Sequence, residues 1–337
     1  MDSLTQIVLG AACGELVLGR KAGNKALFWG GVAGTIPDLD VVLNPFFSPV
    51  DQLFVHRGYS HSVFFAFLVA PMLGFLIRKI HPTSAARLRD WIVLSFCGIF
   101  THPLLDAFTG YGTPLFLPFS DYRFDINSIF IIDPLYTLPF LFCIIMVLRA
   151  GRNHEARFSW AKRGVLISTA YLLFTVLTQQ LNVHALRKSL EEKGIVPVKD
   201  MAFATPLNSF LSGYVADVDS GYYVSYRSVF DKSKPDFSFI PARKELLEKF
   251  GTVPDLEKLI SFTKGFYLVD PQTDGLYLCD LRFGQMGGWV DPQAPFVFSF
   301  LLSSSDNGTL IVEKGNWRRA RFEYFNTIWG RIFHEKK

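Results

Sequence analysis

The sequence predicts an α-helical membrane bundle of about five to six helices followed by a small, mainly β soluble domain of α+β type. Three observations predict it. Apolar runs dominate as far as residue 182, polar and Tyr-rich stretches take over from there, and Lys and Arg fall in alternate connections between the apolar runs. Half of the 337 residues are hydrophobic, 34 of them Phe, and mean hydropathy is +0.24. The domains expected are therefore 1–182, membrane-embedded, and 183–337, soluble.

The apolar segments lie at 4–19, 26–47, 62–80, 91–108, 129–148 and 164–182. A spanning helix needs about 20 apolar residues, and the runs at 62–80, 129–148 and 164–182 meet that need best. The first run is short and contains Glu15, so it reads as tilted or partly interfacial. The run at 26–47 is interrupted by Pro37-Asp38-Leu39-Asp40, and the run at 91–108 carries His102 and Asp106. Ionisable groups are costly in hydrocarbon and mark functional positions. Two interrupted runs would also suit buried helices of a soluble protein, but the three long neighbours favour a membrane.

Basic residues collect in short cytoplasmic loops. One set of connections carries Arg20, Lys21 and Lys25, then Arg78, Lys79, Arg87 and Arg89, then Arg149, Arg152, Arg157, Lys162 and Arg163. The opposite connections carry only Arg57 and Arg123. Alternation puts the three basic loops in the cytoplasm of a multi-pass inner-membrane protein and the C-terminal domain outside it. It also gathers Asp2, Asp38, Asp40, His56, His61, His102, Asp106 and Asp133 at the outer end of the bundle, although none of them was used to set the alternation. No basic stretch precedes the first apolar run after Met1-Asp2-Ser3, so insertion is expected to use the helices themselves rather than a cleavable leader.

Beyond residue 182, Gly221–Tyr226 and Phe296–Phe300 read as strands and Ala242–Phe250 as a helix, with turn signals at Asp274-Gly275 and Asp306-Asn307-Gly308. A net charge of +4 without a basic cluster excludes nucleic acid as a partner. Of the four cysteines, Cys13, Cys97 and Cys143 sit in apolar runs, and with Cys279 they form no C-x-x-C pair. This argues against a disulfide framework and against a thiolate metal site.

Three motifs carry chemistry. His102 and Asp106 are four apart, on one helix face, where an imidazole and a carboxylate can grip one cation. Asp38 and Asp40 follow Pro37 at a turn or strand end, where both can reach a metal; helix capping is the plainer role for them. In His56-Arg57-Gly58-Tyr59-Ser60-His61-Ser62 the two histidines are five apart and suit a loop entering a helix, with Ser60 or Ser62 as its cap. Arg57 can hold an anion such as a phosphate through two hydrogen bonds, or anchor at the headgroups. Mixed imidazole and carboxylate donors suit a divalent metal, zinc first, with manganese and iron as alternatives.

At these motifs the chain resembles the YdjM-type family of bacterial inner-membrane proteins, which are regarded as metal-dependent hydrolases. The matching stretches are Met1–Thr5, Pro37–Asp40, His56–Ser62, His102-x-x-Leu105-Asp106, Thr109-x-x-Gly112 with Pro118-Phe119, and Ile131–Pro134. They cover residues 1–180. The resemblance implies Asp38, Asp40, His61, His102 and Asp106 as metal ligands, with His56 close by; His56, Arg57 and Asp38 are the catalytic residues expected. A more distant similarity to zinc-dependent phospholipase C implies a phosphodiester or phosphomonoester at the outer leaflet. The family commonly has Thr-His near the N-terminus where this chain has Thr5-Gln6, which puts a second metal in doubt.

The activity expected is hydrolysis, with a metal-activated water attacking an ester or phosphoester of a small molecule or lipid at the outer face. Membrane lipids are the expected surroundings, and nothing in the sequence points to a protein partner. A membrane scaffold or regulatory protein with a structural polar cluster is the alternative. A transporter would place polar groups at several depths, whereas here they gather at one end.

Overall fold

The computed structural model describes residues 1–304, 310–315 and 324–333. The turn expected at Asp306-Asn307-Gly308 lies outside the described residues. Two compact units are present, the first formed by residues 1–46 and 54–174 and the second by 47–53 and 175–337.

The first unit is helical. Helix α1 (Ser3–Ala22) starts at Asp2, whose carboxylate accepts the Thr5 amide, and it is followed by α2 (Asn24–Thr35). The chain then tightens into a 3-10 stretch, Ile36–Phe46. The Ile36 amide already bonds three residues back, to Ala33 O, and Pro37 has no amide hydrogen with which to restore the α ladder. A single turn, α3 (Gln52–Val55), and a 3-10 turn, Tyr59–His61, lead into α4 (Val63–Ile80). Helix α5 (Leu88–Asp106), α6 (Pro134–Arg149) and α7 (His154–Glu192) follow. Ser62 is the cap of α4 and Asp133 that of α6.

Among the described residues, three stretches are long and apolar enough to cross a membrane: Asn24–Phe46, Val63–Ile80 and His154–Glu192; α6 is apolar but shorter. Helix α1 is longer than the run that predicted it. Its Glu15 is 3% exposed and takes two hydrogen bonds from the buried Arg157, at 2.9 and 2.6 Å. The carboxylate thus faces the bundle interior, not the interface.

Glycines draw α1 onto α2. A methyl group on Gly10 would lie 2.3 Å from Gly30 O, and one on Gly14 would lie 2.1 Å from Ala26 O. Two G-x-x-x-G faces therefore bring the backbones into direct contact, a packing favoured where lipid removes the hydrophobic drive between helices. Helix α5 closes on the same pair, because a methyl on Gly98 would meet the Ala33 side chain at 2.6 Å. Ala33, Trp91, Leu94 and Ile99 are all buried in this contact.

Among the described residues, the second unit holds two four-stranded antiparallel sheets, each in sequential order. The first comprises β1 (Lys199–Ala204), β2 (Leu211–Asp217), β3 (Gly221–Ser228) and β4 (Ser238–Pro241). The second comprises β5 (Tyr267–Gln272), β6 (Gly275–Gln285), β7 (Phe296–Ser304) and β8 (Leu310–Lys314). Both give side chains to one core, including Val215, Tyr222, Leu268 and Leu281. The expected helix over 242–250 is a 3-10 stretch, Lys244–Phe250, and α8 (Pro254–Phe262) and α9 (Phe325–Phe333) were not foreseen. The division falls at 174/175 instead of 182/183 because α7 runs on into the second unit. Its Val183, Leu186 and Leu190 are buried with Tyr214 and Ala216 of β2.

Candidate metal centre

His102 sits one turn beyond Gly98 on α5, so the close packing of α5 on α2 brings its ring to the end of α2. Nδ1 lies 2.6 Å from Gly34 O. A carbonyl only accepts, so Nδ1 carries the proton and Nε2 presents its lone pair on the opposite side of the ring. Asp106, four residues on, shares that helix face.

His61 closes the 3-10 turn before α4 and is fully buried. Its Nδ1 is 2.9 Å from Ser60 Oγ, and Ser60 donates its own proton to Asp40 Oδ2 at 2.7 Å. The hydroxyl can then only accept from His61, so Nδ1 is the protonated nitrogen and Nε2 again turns inward. Left-handed backbone at Arg57, φ 53°, lets the loop reverse so that His56 and His61 both reach Asp40.

The two inward nitrogens meet two carboxylates. Asp38 Oδ1 lies 3.3 Å from His61 Nε2 and 3.4 Å from His102 Nε2. Asp106 Oδ2 lies 3.5 and 3.7 Å from the same two atoms. All four donors fall within 4.8 Å of one another. Zinc–ligand bonds of about 2.0–2.1 Å make the edge of a tetrahedron about 3.3–3.4 Å, close to these separations.

The chemistry of the donors fits a cation as well as their spacing does. His61 Nε2, His102 Nε2 and Asp106 Oδ2 are buried without a hydrogen-bond partner, a costly arrangement for polar atoms. They stand at ion-pair distances from one another but are not aligned for hydrogen bonding. Burial pulls the His61 imidazolium down, yet the carboxylates of Asp106, Asp38 and Asp40 outweigh burial and hold its pKa up at about 9. Such a site binds a proton tightly when no cation competes for it.

Asp40 lies differently from its expected place among the ligands. Its Oδ1 faces His56 Nδ1 at 3.0 Å, and its Oδ2 takes Ser60 Oγ and, at 3.0 Å, the Arg57 amide. Both oxygens are engaged behind the histidines, so Asp40 stands outside the four-residue group. Carboxylates in this position orient a ligating imidazole and raise its basicity.

Arg57 is 4% exposed and is turned inward, not out to the headgroups. Its Nε is 3.0 Å from Asp106 Oδ2 and its Nη1 donates to Thr109 Oγ1 at 2.8 Å. The guanidinium lies 5.1 Å from the Tyr111 ring centre. Asp106 Oδ1 is met by the Met1 amino group and by Gln6 Nε2 at 3.0 Å. Gln6 also donates to His102 O, at 3.3 Å, so it braces both His102 and Asp106. Asp2 and Asp133 cap helices and do not join the group. Ser60, the Gly34 carbonyl and Gln6 were not read from the sequence as parts of the site. The paired G-x-x-x-G spacings of α1 and α2 are the signal that would have pointed to Gly34.

A family model described as YdjM inner membrane protein matches residues 1–182. Inner membrane protein YbcI of Escherichia coli (strain K12) is 34% identical over 124 residues, covering 35% of this chain and 70% of the relative. No solved structure matches.

Proposed function

The chain belongs to the YdjM inner membrane protein family, and from that premise we propose that it is a metal-dependent hydrolase cleaving an ester or phosphoester at the extracytoplasmic face of the inner membrane. The observation that carries the reading is the convergence of His61 Nε2, His102 Nε2 and Asp106 Oδ2, buried and without a hydrogen-bond partner, beside Asp38.

Asp38, His61, His102 and Asp106 would hold the cation. Zinc is the metal we assign, and manganese and iron are the alternatives that the same donors accept. A bound divalent cation there supplies Lewis acidity and lowers the pKa of water towards neutrality. The chain's own residues supply the proton transfers. His56 is 29% exposed at its side chain and its Nδ1 is committed to Asp40, so its Nε2 is the free base when the ring is neutral. It takes the proton of the attacking water as the new bond to carbon or phosphorus forms. It returns that proton to the leaving oxygen as the old ester bond breaks. Arg57 offsets the charge of Asp106 and keeps that carboxylate ionised for the cation.

The distribution of Lys and Arg supports a multi-pass topology with the second unit outside the cytoplasm. Protease added to spheroplasts should digest that unit, and protection of it would reverse the orientation. Elemental analysis of detergent-purified protein tests the centre: about one metal per chain is expected, falling to trace in His102→Ala. A screen of phosphoester and carboxylester substrates then tests the chemistry. A scaffold would be indifferent to His102→Ala and would hold no stoichiometric metal.

A further inference from the structure

In the second unit, β4 covers only the first half of β3: Val224 lies opposite Ser238, and the pairing ends there. From residue 229 to residue 237 the chain leaves the sheet, and two arginines hold it. Arg331 of α9 donates to Tyr226 O and to both carboxylate oxygens of Asp231, each at 2.8 Å. Arg227 of β3 donates to Asp231 O and to Ser233 O, each at 3.0 Å. Between β3 and this loop lies a cavity of about 260 Å³, with Ser225, Tyr226, Arg227, Asp236, Trp289 and Arg331 in its wall. Ligand cavities run from about 300 Å³ upward, so this one suits a small molecule.

The charges along the wall are not all matched. Asp231 neutralises Arg331, and Lys234, also in the wall, is met by Glu192 at 2.7 Å. Arg227 and Asp236 are left over. Among the described residues no carboxylate stands at ion-pair distance from Arg227, and no cation from Asp236. Arg227 is half-buried and Asp236 is exposed. Two neutral carbonyls take only part of the five N–H groups of a guanidinium, which leaves a planar edge for a carboxylate. Ser225 adds a third open group: it is 3% exposed, yet its Oγ has no hydrogen-bond partner. A buried hydroxyl is normally satisfied, and a polar molecule in the cavity would satisfy this one.

One unmatched cation and one unmatched carboxylate in a single small cavity call for a ligand that carries both signs. We propose that the cavity binds a free α-amino acid as its zwitterion, with the carboxylate on Arg227 and the ammonium on Asp236. Tyr226 and Trp289 supply apolar wall for its side chain. The site shares no residue with the metal centre, so it stands or falls independently of the hydrolase reading.

Calorimetric titration of the full-length protein in detergent with each of the twenty common L-amino acids in turn tests this. At least one should bind at one site per chain. The matching amine, which lacks the carboxylate, and the matching acid, which lacks the ammonium, should each bind about 10- to 100-fold more weakly, as expected for loss of a charge-assisted hydrogen bond. In Arg227→Met the amino acid should bind no better than the amine, and in Asp236→Asn no better than the acid. Arg227→Met also removes two bonds to the loop, but Asp236 is exposed, so Asp236→Asn keeps the test sound if the first variant misfolds. Binding of none of the twenty overturns the proposal. An acid that binds as tightly as its amino acid reduces the site to one for simple anions and overturns the zwitterion. Unchanged binding in Asp236→Asn overturns the assignment of the ammonium to this cavity.

Discussion

Asp40 and His61 meet through the nitrogen that faces away from the cluster: Asp40 Oδ2 lies 3.4 Å from His61 Nδ1, with Ser60 Oγ bridging them. Asp38, two residues earlier, faces the other nitrogen of the same ring. Two carboxylates that look equivalent in the sequence thus do different work on one imidazole.

That difference predicts different losses. Asp38→Asn removes a donor and should empty the site. Asp40→Asn keeps a hydrogen-bond acceptor and should retain stoichiometric metal, with affinity weakened by about 10- to 100-fold, as for other outer partners of a ligating histidine. Zinc titration of both variants against a competing chelator separates the two. Equal loss in both would place Asp40 among the ligands.

Proton competition gives the next prediction. The pKa of His61 in the folded, metal-free protein is raised from its ordinary value to about 9. The stabilisation this brings is full below the unfolded value of about 6.5 and is lost as pH rises through about 9. A cation needs the neutral ring, so apparent metal affinity should climb with pH over that window, by about tenfold per unit where one proton is displaced. Binding isotherms from pH 6.5 to 9 check this, and a flat profile would contradict it.

Helix packing should control the centre from a distance. In Gly30→Val the new side chain begins 2.3 Å from Gly10 O, a backbone atom that cannot turn aside. Overpacking of this kind costs about 1–3 kcal/mol or more. Because Gly34 O orients His102, metal content should fall along with the melting temperature, although the variant touches no ligand. Full metal content with a lowered melting temperature would uncouple the two.

The buried pair of Glu15 and Arg157 makes a further test. Arg157→Met leaves an uncompensated carboxylate inside the bundle, a change that costs about 3–5 kcal/mol in buried pairs. Glu15→Leu/Arg157→Met removes both charges and should recover most of that loss. Thermal unfolding of the full chain in detergent compares them, and a double variant as unstable as the single one would assign the cost to lost packing.

Much of the four-donor group is legible in the sequence. His102 and Asp106 share a face by the period of the helix alone, and Asp38 and His61 could be brought to the same end of the bundle by alternating apolar runs and basic loops. The four now lie within 4.8 Å of one another. Asp40 was less legible, because spacing cannot say which of two carboxylates in Asp-x-Asp turns inward. That choice depends on the 3-10 winding of Ile36–Phe46 and on the reversal at Arg57. Glu15 was misread as interfacial because its partner, Arg157, is 142 residues away.

By itself the sequence determined the class of the protein. Local hydrophobicity, helical period and the placement of Lys and Arg act over short stretches, and they are enough to mark the apolar helices, the polar residues among them and the change to a β-rich second half. Only the tertiary structure decided which nitrogen of each histidine faces the centre, which aspartates join the four-donor group and which brace it, and that Arg57 is turned inward. Those outcomes depend on hydrogen bonds between residues far apart in the chain, brought within reach by glycines that let α1, α2 and α5 pack backbone against backbone.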